Sequence, residues 1–420
     1  MNAISTFKVK KHDREGWGSL ALVTAGLLLC IPALMVGGIL SEGLSLGGIV
    51  FCVTVGGLIL WICACFVGIR SCDLGLPSTL ISADGFGVLG ARFIPALLIT
   101  ITSAGWFGVQ TAVCGESLSV MAAEAVGFSI PAWCITLFWS AVMIVSSIYG
   151  YQIWKYLNHI MAPVLLVVLV YTVVRTVFFS ETGSAAAFLL ARRPAESMSY
   201  SKGITITVGA WAMGAFIAGD YCRYMKRRRD VVLGLSVGLF PVILAVFLSG
   251  AVFRILRGSP DITVILNDEG FPAMALIFLI FASWTTNMIN MYCGGIAVSV
   301  LLGFGEDRLK ASAALIGILG AIPGVLGISS RLPEFLSLLS FLVPPLIGVH
   351  IAVNIARFMG RRAAGKYDDK KLIPSKPIGG GGGGIYHESG VSYSRDHRIR
   401  LGGAGRLAYR EGNSFFYSAS

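Results

Sequence analysis

Ten long apolar runs, divided by short polar segments, set the pattern of this chain. They cover residues 17–40, 45–69, 93–122, 131–149, 159–179, 203–222, 231–253, 272–303, 312–329 and 335–357. An α-helix needs about 20 apolar residues to cross the hydrocarbon of a bilayer. The pattern therefore predicts an all-α polytopic membrane protein with about ten transmembrane helices. Two of the runs are long enough to predict tilted or bent helices. Residues 1–16 read as a polar N-terminal segment and residues 17–362 as the membrane domain. From 363 to 420 the chain turns polar and contains six consecutive glycines, Gly379–Gly384. That composition cannot build a core and predicts a disordered cytoplasmic tail. The switch is abrupt, so a frameshift that replaced further membrane helices is a second expectation for residues 363–420.

Composition narrows the classes. Apolar residues make up 55% of the chain and charged residues 13%, and the mean hydropathy is +0.78. A soluble domain carries about a quarter charged residues. A water-soluble globule, a disordered chain and a nucleic-acid-binding domain are thereby excluded. The net charge of +11 does not restore nucleic acid as a partner, because residues 361–420 alone hold 11 Lys/Arg against 5 Asp/Glu. With the N-terminus in the cytoplasm, 18 Lys/Arg fall on the cytoplasmic side of the ten runs and 7 on the other. The positive-inside rule thus predicts a multi-pass protein of the plasma membrane, in bacteria the inner membrane, with a cytoplasmic N-terminus. The run Lys226–Arg229 is its strongest anchor and reads as a topogenic signal rather than a binding patch. Lys8, Lys10, Lys11 and Arg14 precede a first apolar run that many others follow, so no cleaved signal peptide is expected. The nine cysteines lack metal-type spacing and read as small buried side chains.

Ten helices divide into two sets of five, and many transporters consist of two such sets with inverted topology. In those proteins the binding site is marked by an interrupted helix at the same place in each set. The first run contains Cys30-Ile31-Pro32-Ala33, where Pro32 removes a backbone donor. The sixth contains Gly209-Ala210-Trp211-Ala212-Met213-Gly214 and then Gly219, glycines that favour unwinding or close packing. Backbone groups freed in this way cannot face lipid, but they can face a cavity.

Polar residues in the other runs point the same way. Ser103, Trp106 and Gln110 recur at three- and four-residue steps and share one helix face, while Gly105 and Gly108 allow another backbone to come close. A buried Gln offers a paired donor and acceptor to a flat heterocycle, and an indole offers a stacking surface. Thr285, Thr286, Asn287 and Asn290 gather two hydroxyls and two carboxamides within six residues. Hydroxyl and carbonyl oxygens are hard ligands that suit an alkali cation; the bland alternative is that both threonines bond back to their own helix. Glu116, Asp220 and His350 are ionisable residues within the runs. Glu116 reads as a vestibule or gate residue, Asp220 as the partner of Arg223 in a local ion pair, and His350 as a hydrogen-bonded bundle residue. No nucleophile–base set, metal cluster, cofactor motif or ATP-hydrolysing motif occurs, so the chain is not expected to be an enzyme. Energy for uphill movement would come from an ion gradient.

Four stretches then carry a family resemblance. They are Gly105-Trp106-Phe107-Gly108-Val109, Gly219-Asp220-Tyr221-Cys222-Arg223-Tyr224, Trp284-Thr285-Thr286-Asn287 and Phe341-Leu342-Val343-Pro344-Pro345-Leu346-Ile347-Gly348-Val349. From about residue 15 to 362 the chain resembles the nucleobase–cation symporter family, in its cytosine permease and purine–cytosine permease branch. The resemblance implies a leucine-transporter-type core of five plus five inverted helices. It implies a substrate base held between Trp106 and Trp211. The residue that reads the base edge is Ser103 by the pattern of the cytosine branch and Gln110 by that of the hydantoin branch. Asn287 matches a family asparagine at the substrate, and Asn290 stands near a further polar position. The implied sodium ligands are the backbone oxygens of Gly26, Cys30 and Ala282 and the hydroxyls of Thr285 and Thr286. Family members continue with two more helices where this chain has its polar tail.

The expected function is secondary active import of a nucleobase or related flat nitrogen heterocycle, coupled to sodium, with alternating access. Two alternatives stay open: a transport-inactive nutrient sensor, and an importer of hydantoin, allantoin or a thiamine precursor. Pro32, Gly209, Gly214, Glu116 and Asp220 are the expected gating or structural residues. The lipid bilayer and a small-molecule substrate are the expected partners, and the sequence gives no oligomeric state.

Overall fold

The computed structural model describes residues 7–127, 130–147, 151–179, 185–194 and 196–364. The expected tail, apart from its first two residues, lies outside them. Among the described residues the protein is all-helical, and extended backbone pairs only at one isolated bridge, Glu15 with Met225. The helices are α1 (Trp17–Leu28), α2 (Ile31–Gly43), α3 (Leu46–Leu74), α4 (Ser78–Ile81), α5 (Ala83–Phe93), α6 (Pro95–Val126), α7 (Ala132–Ser147), α8 (Tyr151–Phe178), α9 (Ala185–Ala191), α10 (Tyr200–Phe216), α11 (Ala218–Cys222), α12 (Arg228–Gly238), α13 (Phe240–Arg257), α14 (Ile262–Asp268), α15 (Pro272–Leu302), α16 (Leu309–Val325) and α17 (Leu332–Ala364).

Seven helical segments are long and apolar enough to cross a membrane alone, and α1 with α2 forms one further, bent crossing. The shorter α7 and α10 complete the ten spans read from the sequence. The spans are then, in order, α1–α2, α3, α6, α7, α8, α10–α11, α12–α13, α15, α16 and α17. Outward faces carry side chains such as Phe51, Ile101, Phe138, Val167 and Phe341, as lipid contact requires. Four spans lie between the first and the sixth, an even number, so the two sets run in opposite directions. Their packing is reciprocal. The first span lies on the seventh, the sixth on the second, and the third on the eighth.

Both first helices are interrupted, though not as expected. The first span bends by 61° between α1 and α2. The break falls at Leu29–Cys30, and Pro32 sits in the opening turn of α2, where a missing amide costs nothing. Pro32 thus starts the second half rather than kinking one continuous helix. The sixth span runs unbroken through Gly209 and Gly214 and breaks at Ile217 (φ −81°, ψ 5°). These glycines are therefore not unwinding points. A Cβ on Gly209 would lie 1.9 Å from Ser340 Oγ of the tenth span, and one on Gly219 would lie 2.2 Å from Ser71 Oγ of the second. They are places of close packing.

The tightest crossings use the same device. A Cβ on Gly37 would meet the Phe247 carbonyl oxygen at 1.9 Å, and one on Gly250 the Leu34 carbonyl oxygen at 1.9 Å, so α2 and α13 touch backbone to backbone. Between α1 and α12, a Cβ on Gly238 would stand 2.2 Å from the Ala21 carbonyl oxygen. As expected, Gly108 admits a neighbour: the Gly320 carbonyl of the ninth span would lie 2.7 Å from its Cβ. Gly37→Ala is expected to lower the thermal unfolding temperature, because the added methyl has nowhere to go, at a cost of about 1–3 kcal/mol. Gly18→Ala, with nothing within 4 Å of the new atom, should leave the temperature unchanged.

Candidate ligand-binding site

The two breaks and the third, seventh and eighth spans line one cavity. It contains about 640 Å³ of non-atom space, open solvent included. Leu28, Cys30 and Pro32 of the first span, Trp106 and Gln110 of the third, Trp211, Gly214 and Ile217 of the sixth, Phe247 of the seventh, and Thr286 and Asn290 of the eighth all line it. Apolar surface dominates, and polar groups are few, as in small-molecule sites generally.

Gln110 is the singular group. It is 1% exposed, and among the described residues neither its Oε1 nor its Nε2 has a nitrogen or oxygen partner; only the Cys30 thiol, a weak donor, lies beside it. A buried carboxamide left unpaired costs the desolvation of both ends, and a ligand with an adjacent donor and acceptor would recover it. Trp106, four residues earlier, lies one helical turn away on the same face. Its indole meets the Phe335 ring edge-on at 5.4 Å, which fixes its plane. Trp211 also lines the cavity, and Gly214 is what seats it: a Cβ there would lie 2.4 Å from the indole. The role of Gly214 is to make room for this ring.

The cation ligands expected from the resemblance lie beside the cavity. In an unbroken helix the Cys30 amide would bond to the Gly26 carbonyl, but at the break it turns to Leu28 O at 2.9 Å. The Gly26 carbonyl therefore loses its regular donor. Thr285 Oγ1 donates to Phe281 O (2.8 Å) and Ala282 O (3.2 Å), and Thr286 Oγ1 donates to Ala282 O (2.9 Å). These back-bonds commit the hydroxyl protons to the helix and leave oxygen lone pairs as the groups offered outward. Two members of the set are already engaged: Ala282 O takes both hydroxyls, and Cys30 O accepts from the Ala33 and Leu34 amides at 3.2 and 3.3 Å. Gly26 and the two threonines are thus the better donors to a hard cation. The sequence reading passed over Asn158 of α8, a fully buried amide just ahead of the fifth apolar run. A Cβ on Gly26 would lie 1.8 Å from its Oδ1. With Lys155 and His159 on either side of it, the sequence carried no signal of its burial.

Other expected residues stand elsewhere. Ser103 packs on Gly294 of the eighth span and does not line the cavity. Asn287 also lies outside the lining. Its Nδ2 donates to Phe107 O (3.2 Å), and its Oδ1 accepts from Asn290 Nδ2 (3.1 Å), so it ties the third span to the eighth and orients Asn290. Glu116 accepts from Ser329 Oγ at 2.5 Å and lines a separate hollow with Glu124, Asp261 and Asp268. Asp220 is fully buried, and its Oδ1 accepts from the Ser78 amide at 2.8 Å. The surface ion pair expected with Arg223 is not formed, because Arg223 reaches the Phe7 carbonyl at 2.7 Å and the Tyr292 hydroxyl instead. His350 is the hydrogen-bonded bundle residue expected, with Nε2 2.9 Å from Ser82 Oγ. Among the described residues, no three His, Cys, Asp or Glu side chains are grouped to hold a metal.

Comparison with known proteins supplies a frame for this geometry. The family described as permease for cytosine/purines, uracil, thiamine, allantoin matches residues 9–377. The cytosine permease of Escherichia coli (strain K12) is 27% identical over 351 residues, which cover 84% of this chain and 80% of that protein. The solved structure of Mhp1, a nucleobase-cation-symport-1 family transporter in a closed conformation with bromovinylhydantoin bound, superposes with a TM-score of 0.74. The match is 20% identical and covers 89% of this chain and 84% of that one. A Na+-coupled sialic acid symporter, in a substrate-bound outward-open state, superposes with a TM-score of 0.60 at 12% identity, covering 84% and 81%. The fold is thus the leucine-transporter-type five-plus-five core.

Two substitutions probe the cavity. Trp106→Ala should lower affinity for every heterocycle tested by roughly 5- to 150-fold, the worth of one stacked base at about 1–3 kcal/mol. Gly214→Ala should also weaken binding, by displacing the Trp211 indole, while leaving the helix itself intact. Equilibrium binding by calorimetry on the purified protein reads both.

Proposed function

We propose that this chain, which belongs to the family of permeases for cytosine/purines, uracil, thiamine and allantoin, imports a flat nitrogen heterocycle by symport with sodium. The observation that carries the reading is the unpartnered Gln110 carboxamide, set one turn from Trp106 in a cavity that Trp211 also lines. The two indoles sandwich the ring, Gln110 pairs with an adjacent N–H and C=O on its edge, and Asn290, oriented by Asn287, meets a second polar atom. Cytosine, oxopurines, uracil, hydantoins and allantoin all carry such edges. Ser103 is packed against Gly294, so the edge reader in this account is Gln110, the position that the hydantoin-branch pattern assigns to that role.

Sodium bridges the first and eighth spans in this reading, through the Gly26 carbonyl and the hydroxyls of Thr285 and Thr286. Thr286 also lines the cavity, so one residue meets both solutes. Ion and substrate then raise each other's affinity by an equal factor, as linkage demands. The protein acts in the plasma membrane with its N-terminus in the cytoplasm, and the chemistry it performs is movement rather than bond-making.

Binding measured in sodium and in potassium tests the coupling. Affinity should rise about tenfold in sodium, within the usual range of coupling energies. Thr285→Ala combined with Thr286→Ala should abolish the difference, and equal affinity of the unaltered protein in both salts would remove sodium from the account. Uptake of radiolabelled uracil, cytosine and hydantoin into proteoliposomes under an inward sodium gradient tests transport itself. Binding without accumulation would make the protein a sensor.

A further inference from the structure

The basic run Lys226–Arg229 takes no part in the cavity between the two breaks, yet the structure sets one of its members into a second hollow. Arg70 at the end of the second span, Arg228 at the start of the seventh and Arg357 at the end of the tenth line a space of about 860 Å³, open solvent included, with Phe66, Ile69 and Asp73 beside them. The arginines are held by carboxylates. Arg228 is bidentate to Asp73, with both contacts at 2.8 Å, and Arg70 Nε reaches Asp84 Oδ2 at 2.8 Å. Arg357 bonds to the same Asp84 oxygen. Burial pushes the Asp84 carboxyl up, but Arg357 and Arg70 more than reverse this and hold it below the usual carboxylate range. Three cations are thus fixed around one space, and the exposed Lys226, Arg227 and Arg229 add to the positive field beside it.

The apolar half is equally ordered. Ile59, Ile62, Phe66, Ile69 and Asp73 follow one another at steps of three and four and form one stripe of the second span. Ile59 and Ile62 are exposed where that stripe rises toward the membrane centre, and on the tenth span the exposed Ile355 lines the hollow beside Arg357. An apolar groove that runs down to a cluster of guanidinium groups matches the two ends of one class of molecule. Basic pockets between spans at the membrane surface take phosphate-bearing lipid head groups, and arginine forks suit phosphate oxygens.

We propose that the end of the bundle carrying the N-terminus binds an anionic phospholipid, its phosphate among Arg70, Arg228 and Arg357 and its acyl chain along the Ile59–Ile69 stripe. The occupant ties the tenth span to the second. Native mass spectrometry of the full chain, released from detergent with phosphatidylglycerol or phosphatidylcholine of identical acyl chains, tests the proposal. Phosphatidylglycerol should be retained preferentially. Arg228→Gln, an exposed position, should cut retention about fivefold, the effect of removing one cation near an anionic surface. Arg357→Gln should do the same where that variant folds, and ligand binding in the central cavity reports that it does. Equal retention of the two lipids would overturn the proposal. So would preference that survives both substitutions, since the charge would then be diffuse. Displacement of the lipid by millimolar inorganic phosphate, with no dependence on acyl chain length, would overturn it in favour of a free-phosphate site.

Discussion

Hydrocarbon offers no hydrogen bonds, so each backbone amide and carbonyl within a membrane must find its partner inside the protein. An interrupted helix violates that rule unless it lies against something polar. Here two interruptions, at Leu29–Cys30 and at Ile217, open onto the same cavity. Most other features of the site follow from that placement. The Gly26 carbonyl loses its helical donor at the first break, the Thr285 and Thr286 hydroxyls belong to the eighth span, and Gln110 and Asn290 bring their polar ends to the cavity lining.

Much of this was legible in the chain. The ten apolar runs correspond to ten helical segments, eight of them long and apolar enough to cross a bilayer when the bent first pair counts as one, because length and hydropathy are the quantities a bilayer selects. The face shared by Trp106 and Gln110 followed from helical spacing alone. Details of backbone were less legible. A glycine in a helix reads equally as an unwinding point or as a contact, and only its neighbours decide. Gly209 has Ser340 against it and Gly214 has an indole, so both stay helical. Pro32 was read as the cause of a kink, but proline is at ease in a first turn, and the break lies just ahead of it. Ser103 and Asn287 share the residue type of a reader yet face neighbouring helices, since side-chain direction within a packed bundle depends on partners distant in sequence. Asn158 was hidden by its polar neighbours Lys155 and His159, which read as a segment outside the bundle core.

On the proposed reading, the residues of the break serve two solutes at once. Cys30 lines the cavity, its thiol lies beside Gln110 and Thr286, and its amide is the one that abandons Gly26. A change that straightened this turn would restore the Gly26 bond and withdraw the cation's ligand in the same motion. Coupling in this geometry needs no long pathway, because the two sites share a single turn of backbone.

The glycine contacts along the first and seventh spans have a mechanical consequence. Each half of the first span is seated on the matching half of the seventh: α1 on α12 through Gly238, and α2 on α13 through Gly37 and Gly250. The seventh has its own kink at Leu239, where φ and ψ are −101° and −66°. Two jointed rods locked at both ends behave as one elbow. Neither joint can flex without the other, so the angle at the binding cavity is set by a hinge that no ligand touches.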